Sequence, residues 1–202
     1  MASVLLDLPL RCRCGHVRGV GSAVSPSTGF RFFCYCKDCQ AFARFLERVD
    51  VLDSAGGTDI FQMPPALVRL TAGRDAVRCV RLSDGGVYRW YTDCCRTPIG
   101  NTFGPRVPMI GVIHCFMDHQ ADGRSRDAVL GPPLCRIYER SAVGPLPATA
   151  PPSFGLFVRR TSKVLAWWLR GLARPNPFFD EGWNAPCSVP RVLTHSERAA
   201  LR

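Results

Sequence analysis

A chain of 202 residues, 47% hydrophobic and 21% charged, is large enough to bury its own core, which excludes a disordered or fibrous protein. The formal net charge of +10 rests on 26 basic residues. They are scattered and nearly all arginine, without a basic run, an RNP-like aromatic motif or zinc-finger C…H spacing, so nucleic acid is not the expected partner. Eleven cysteines are too sparse for a disulfide-stapled scaffold, and their odd number cannot pair completely.

The first ten residues lack the basic start of a signal peptide, and Asp7 interrupts their apolar run. No stretch approaches the roughly 20 apolar residues of a membrane span. The expected compartment is therefore the reducing cytoplasm, where clustered cysteines point to metal or redox chemistry.

Short β-type runs then follow one another: Leu8–Cys12, His16–Ala23, Phe30–Tyr35, Val68–Thr71, Val77–Ser83, Val87–Thr92 and Met109–His114. Lys37–Leu46 is the one short helix expected in this half. Asp84-Gly85-Gly86 reads as a hairpin turn, because glycine reaches positive φ without strain. Gly56-Gly57 reads as another turn. Strands so closely spaced predict a mainly β, antiparallel fold. Asp122–Asp127 is expected as a polar loop, Leu134–Arg140 as a last strand and Pro145–Pro152 as a stiff linker.

Beyond the linker, Phe154–Leu172 has helical periodicity. Phe157, Thr161, Val164, Leu165, Trp168 and Leu172 share one face, with Arg159, Lys163, Arg170 and Arg174 opposite. Ser153 caps the start and Pro175 stops the end. The leading expectation is a helix packed on the β core with its basic face in solvent. A membrane-surface or partner-binding helix, aided by Trp167 on the polar side, is the second. Pro175–Asp180 forms a rigid aromatic loop, and Thr194-His-Ser-Glu197 makes a capping box for a short terminal helix.

Three cysteine clusters carry the chemistry. In Cys12-Arg-Cys14-Gly15, residues i and i+2 of a strand point the same way, and the glycine lets the chain turn around an ion. In Cys34-Tyr-Cys36-Lys-Asp-Cys39-Gln40, a strand delivers two thiolates and the turn into a helix a third. Amides at that helix start favour the thiolate form. The third cluster is Thr92-Asp-Cys94-Cys95-Arg-Thr-Pro98. Cys12 and Cys14 need two more ligands, for which Cys94/Cys95 is the evident source; Cys34, Cys36 and Cys39 make three alone. Four ligands close a structural zinc site, whereas three leave a position open. Zinc is expected ahead of an iron–sulfur cluster, whose C-x₂-C-x₂-C spacing is missing, and ahead of a redox disulfide. Cys79, Cys115, Cys135 and Cys187 stand alone and are expected as buried small apolar residues.

At Cys12-Arg-Cys-Gly15, Cys34-Tyr-Cys-Lys-Asp-Cys-Gln40 and Trp90-Tyr-Thr-Asp-Cys-Cys-Arg-Thr-Pro98 the sequence resembles the glutathione-dependent formaldehyde-activating enzyme family. That family shares the Mss4-like zinc β fold and includes centromere protein V. The resemblance lies within residues 8–115. It implies an Mss4-like zinc-binding antiparallel β domain over residues 1–144. Residues 145–202 would add a Pro-rich linker and a helical tail packed on or attached to that core. It also implies that Cys12, Cys14 and Cys95 hold a structural zinc, and Cys34, Cys36 and Cys39 a catalytic zinc that glutathione's sulfur can enter. The chain departs from the family where a cysteine would fall on Thr92 and a glycine on Arg96. Cys94 can replace the missing ligand only through a distorted turn, since strand neighbours point to opposite sides, so Cys95 has the stronger claim.

The implied activity is that of a zinc-dependent carbon–sulfur lyase forming or cleaving a thiol–aldehyde adduct, of the glutathione and formaldehyde type. His114 is a candidate proton acceptor, with a structural role the leading expectation; His16 is a candidate support for the first cluster. Arg89 and Arg96 are candidates to attract glutathione's carboxylates. The alternative is a non-catalytic zinc module that binds a protein partner. Peripheral membrane contact through residues 154–172 is a further expectation.

Overall fold

The computed structural model describes residues 5–120, 123–146, 154–180, 182 and 185–202. Alternation of inward and outward side chains builds the first hairpin, β1 (Leu6–Arg11) with β2 (Arg18–Val24), antiparallel. β3 (Phe30–Cys34) leads directly into α1 (Lys37–Phe45). Then come β4 (Thr58–Met63), β5 (Val68–Ala72), β6 (Val77–Arg81), β7 (Tyr88–Thr92), β8 (Pro98–Thr102) and β9 (Ile110–Ile113). A short α2 (Arg126–Leu130) and β10 (Arg136–Ile137) follow, then α3 (Phe154–Leu169), β11 (Arg191–Val192) and α4 (His195–Ala200).

The fold is mainly β. One sheet has the order β1-β2-β5; the other has eight strands in the order β10-β3-β4-β9-β8-β7-β6-β11. Pairing is antiparallel except at the two ends of the large sheet, where β10 and β11 run parallel to their neighbours. The main core is a layer of apolar side chains that includes Leu8 and Leu10 from β1, Phe61 and Met63 from β4, and Ile110 and Val112 from β9. Trp90 lies at its centre, fully buried, with its indole N–H donating to Thr102 Oγ1 at 2.9 Å. The other face of the large sheet carries α1, which packs Ala41, Phe42 and Leu46 against Val80, Tyr91 and Ile113.

Three strands arise where the sequence predicted none: β4, β8 and the two-residue β11. All six residues of β4 are buried, because β3 and β9 flank it and both its faces are covered. Of its polar members Asp59 is satisfied in place, accepting two 2.8 Å bonds from Arg31 and one from Arg126, whereas Gln62 Oε1 is buried with no hydrogen-bond partner among the described residues. β8 begins on Pro98, a position where a strand tolerates proline, since the missing N–H breaks no interior ladder.

The predicted polar loop at 122–127 gives way to α2 from Arg126, where the Ser125 side chain accepts from Ala128 N; Asp122 lies outside the described residues. The predicted strand at 134–140 shortens to two residues, ended by Tyr138 at a positive φ. The linker from 147 to 152 and the Ser153 cap also lie outside the described residues.

Among the described residues from 154 onward, several join the same sheet and core. Phe178 stacks on Trp90 at 5.0 Å, and β11 extends the large sheet beside β6. The capping box at Thr194 and Glu197 forms as the sequence predicts. α3 packs on the β core as expected, but largely through the face expected to be polar. Trp167 is buried and stacks on Phe30 with centroids 5.9 Å apart, while the Lys163 ammonium donates to the Ser27 and Gly29 carbonyls. Val164 and Leu172 also turn inward; Phe157, Leu165 and Trp168 face out. Periodicity locates an apolar stripe without saying which side the core needs, and here a flat indole fills the gap beside Phe30.

Candidate metal centres

The first centre joins the β1–β2 turn to the β7–β8 turn. Cys12 follows β1, and its N–H donates to Val17 O at 3.0 Å while Gly15 N donates to Cys12 O at 2.9 Å. Gly15 takes the left-handed conformation (φ 76°) that such a tight knuckle needs. Val17 N donates to Cys12 Sγ at 3.3 Å, a main-chain bond to the sulfur itself. Arg13 N reaches across to Thr97 Oγ1 at 3.0 Å and ties the two turns together.

On the second turn, Thr92 N donates to Thr97 O and Arg96 N to Thr92 O, both at 2.9 Å. Arg96 adopts φ 55°, in the left-handed region. Cys94 and Cys95 thus sit in a turn and not in a strand, and two adjacent sulfurs can face one point. The Sγ atoms of Cys12, Cys14, Cys94 and Cys95 lie within 4.8 Å of one another. Cys14 and Cys94 are 3.4 Å apart, Cys12 and Cys14 3.5 Å, and Cys12 and Cys94 3.9 Å. Sulfurs around a tetrahedral zinc with bonds of about 2.3 Å stand about 3.8 Å apart. The four could hold a metal ion.

Thr92 plays another part. Fully buried, its hydroxyl accepts from Thr97 N at 3.1 Å and lies 3.4 Å from Cys95 Sγ. Burial opposes ionisation of Cys95, but hydrogen bonding to Thr92, Thr97 and Cys14 outweighs it and brings this thiol down to about 5.

The second centre lies where β3 hands over to α1. Cys34 ends the strand, Cys36 caps the helix by accepting from Cys39 N at 3.3 Å, and Cys39 stands in the first turn. Their three sulfurs also lie within 4.8 Å of one another, Cys34 and Cys39 being 3.6 Å apart. Cys34 and Cys39 are buried, and Cys36 is half-buried.

The loop that follows α1 braces this handover. Tyr35 donates to Asp53 at 2.8 Å, and Gly57 N donates to the same carboxylate at 2.7 Å. A Cβ at Gly57 would come within 2.6 Å of the Tyr35 ring, so Gly56-Gly57 does more than turn the chain. Arg89 points in from β7, buried, with Nη1 at 3.8 Å from Cys39 Sγ and its guanidinium over the Phe42 ring. Bonds from Cys34 and Cys36, helped by the Arg89 charge, hold the Cys39 thiol well below its ordinary value.

With this geometry in hand, comparison with known families finds a match over residues 2–187 to a family of unknown function, DUF6151. The chain belongs to that family. No curated protein matches the sequence. The DUF6151 match runs through both cysteine centres, α3 and the aromatic loop.

The other predicted site residues are placed as follows in this DUF6151 protein. His114 opens a one-turn 3₁₀ segment just after β9, its Nδ1 at 3.4 Å from Asp59 O. Burial, with the Arg126 charge second, lowers its pKa to about 4. It lines a cavity of about 420 Å³ shared with Arg48, Arg126 and Cys12, on the side of the first centre. His16 is exposed, and the support the sequence assigned to it comes from the Val17 amide. Arg96 is exposed and shapes the Cys94/Cys95 turn through its backbone.

Among the lone cysteines, Cys79 is buried, Cys115 and Cys135 are half-buried, and Cys187 is exposed, contrary to expectation for the last. Sequence reasoning missed the contact of Arg89 with Cys39 and the packing of Trp167 beside Cys34. The signal for Arg89 was a charged residue inside the strand run Tyr88-Arg-Trp-Tyr91; for Trp167 it was an indole among the basic residues of the helix, which the sequence assigned to a membrane or partner and not to the core.

Proposed function

We propose that the chain is a two-zinc protein. In this reading Cys12, Cys14, Cys94 and Cys95 hold a structural ion. Cys34, Cys36 and Cys39 hold a second, whose fourth position receives a thiol of the glutathione type for reaction with an aldehyde such as formaldehyde. The ligand count carries it: one cluster supplies four sulfurs and the other three, and three thiolates leave a tetrahedral ion one position short. All-thiolate donor sets favour zinc over hard cations. The likeness of the three cysteine motifs to the glutathione-dependent formaldehyde-activating enzymes supports the same reading.

A zinc ion at the three-cysteine centre would supply the charge that keeps an incoming thiol ionised near neutral pH. The protein's own part is to orient and to compensate. Half-buried Cys36 gives the approach from solvent, and buried Arg89 offsets the negative charge of the thiolates. The reaction is an addition. A sulfur–carbon bond forms, the carbonyl π bond breaks, and the proton lost by the thiol ends on the new hydroxyl; the reverse is carbon–sulfur cleavage.

A second reading, a non-catalytic zinc module that binds a protein partner, is favoured by the narrowness of the cavity beside Cys39. At about 10 Å³ it has room for a single water. Exchange NMR of glutathione with formaldehyde, together with native mass spectrometry, separates the two. The enzyme reading expects faster adduct exchange in the wild type, and loss of both that acceleration and one zinc ion in Cys36→Ser. Two bound zinc ions with no acceleration would leave the binding module; a metal-free folded protein would end both.

A further inference from the structure

The outward face of α3 carries a stripe that the core does not use. Phe154, Phe157, Val158, Leu165, Trp168 and Leu169 are each between 47% and 80% exposed. At 100° per residue they fall within an arc of about 120°, roughly opposite the inward-facing Arg160, Lys163 and Trp167. Single exposed apolar side chains are ordinary, but six on one helical face, two of them phenylalanine and one tryptophan, make a contiguous patch.

The charge around the patch is of one sign. From residue 140 to residue 179 the chain carries Arg140, Arg159, Arg160, Lys163, Arg170 and Arg174, and not one Asp or Glu. Arg159 and Arg170 are exposed and fall close together on the polar side of the helix, about 140° and 160° from the middle of the stripe. Their guanidinium groups can reach headgroup phosphates while the stripe enters the acyl boundary. No helix among the described residues is long and apolar enough to cross a membrane, so the patch would lie along a bilayer, not through it.

We propose that α3 docks the protein on an anionic membrane surface, its aromatic and aliphatic stripe inserted at the interface and its arginines against acidic headgroups. The buried side of α3 is already fixed to the β core by Trp167 on Phe30 and by Lys163. Docking therefore needs no detachment of the helix. It would bring a rigid surface to the bilayer, with the Cys34/Cys36/Cys39 centre in the apolar cluster beneath the helix.

Flotation of the full-length protein with vesicles tests this. Phosphatidylcholine vesicles are compared with the same vesicles containing phosphatidylserine. The protein is expected to float with the anionic vesicles and to be released by high salt. The double variant Leu165→Glu/Trp168→Glu should lower partitioning at least about ten-fold, and Arg159→Glu/Arg170→Glu should weaken it by about as much on anionic vesicles only. Both pairs are exposed, and an unchanged melting temperature confirms that each variant is folded. Wild type that stays at the bottom with both vesicles, or flotation indifferent to Leu165→Glu/Trp168→Glu, overturns the proposal. So does a wild-type oligomer that dissociates in that variant, since the patch would then be covered by a second copy.

Discussion

If the two-zinc proposal holds, substituting Cys94 by serine removes one of the four sulfurs that would hold the first ion. The Cys94 Sγ lies 3.4 Å from Cys14, 3.8 Å from Cys95 and 3.9 Å from Cys12, close to the spacing of about 3.8 Å that a zinc tetrahedron imposes. A serine hydroxyl keeps the turn but removes a soft, ionisable donor. Loss of one thiolate should weaken binding at least about 100-fold, more than the loss of a group that only supports a ligand. By linkage, 100-fold corresponds to about 2.7 kcal/mol of folding stability. For a chain of this length that is roughly 5–11 °C in melting temperature. Native mass spectrometry should count one zinc ion fewer, and a thermal melt should show the drop. Thr92→Val is the control, because Thr92 braces the turn without donating to the ion, and it should keep the full zinc count. A Cys94→Ser protein that retains both ions and melts with the wild type would refute the four-ligand assignment.

The remaining tests concern stability. His114 titrates near 4 in the folded chain against an ordinary 6.5. The unfolded chain therefore binds a proton between these values that the folded chain refuses, and this contribution to stability is present above pH 6.5 and lost as pH falls toward 4. His114→Asn should remove about 2 kcal/mol of the stability difference between pH 7 and pH 5. Urea titrations of both proteins at the two pH values check it, and parallel pH profiles would count against the assignment. Phe178→Ala, at a fully buried ring stacked on Trp90, should cost about 3–5 kcal/mol. Phe103→Ala, at an exposed ring, should stay within about 0.5 kcal/mol. Equal guanidinium midpoints for these two variants would contradict the placement of the tail in the core.

Much of this was legible because local chemistry and final structure agree. β1 and β2 alternate, α1 begins on a capping cysteine, and the capping box at Thr194 announces α4. The cysteine centres were legible as clusters, since spacing alone brings sulfurs of one turn together. β4 was not. Its Thr-Asp-Ile-Phe-Gln-Met sequence lies between two strands with both faces covered, so alternation vanishes and a carboxylate, Asp59, appears where bonds from Arg31 and Arg126 await it. The Cys94/Cys95 geometry was hidden for a different reason. It depends on Arg96 occupying a left-handed conformation that is far more natural for glycine or asparagine. The inward face of α3 depends on a gap beside Phe30 that exists only once the sheet has formed.

The parallel pairing of β11 with β6 has a consequence for synthesis. β6 ends at Arg81 and β11 starts at Arg191, so the partner emerges from the ribosome more than a hundred residues later. At about 5–20 residues per second this leaves one margin of the large sheet unsatisfied for several seconds or longer. Arg78 and Arg81, half-buried along that margin, would discourage a stray strand from another nascent chain until the proper one arrives.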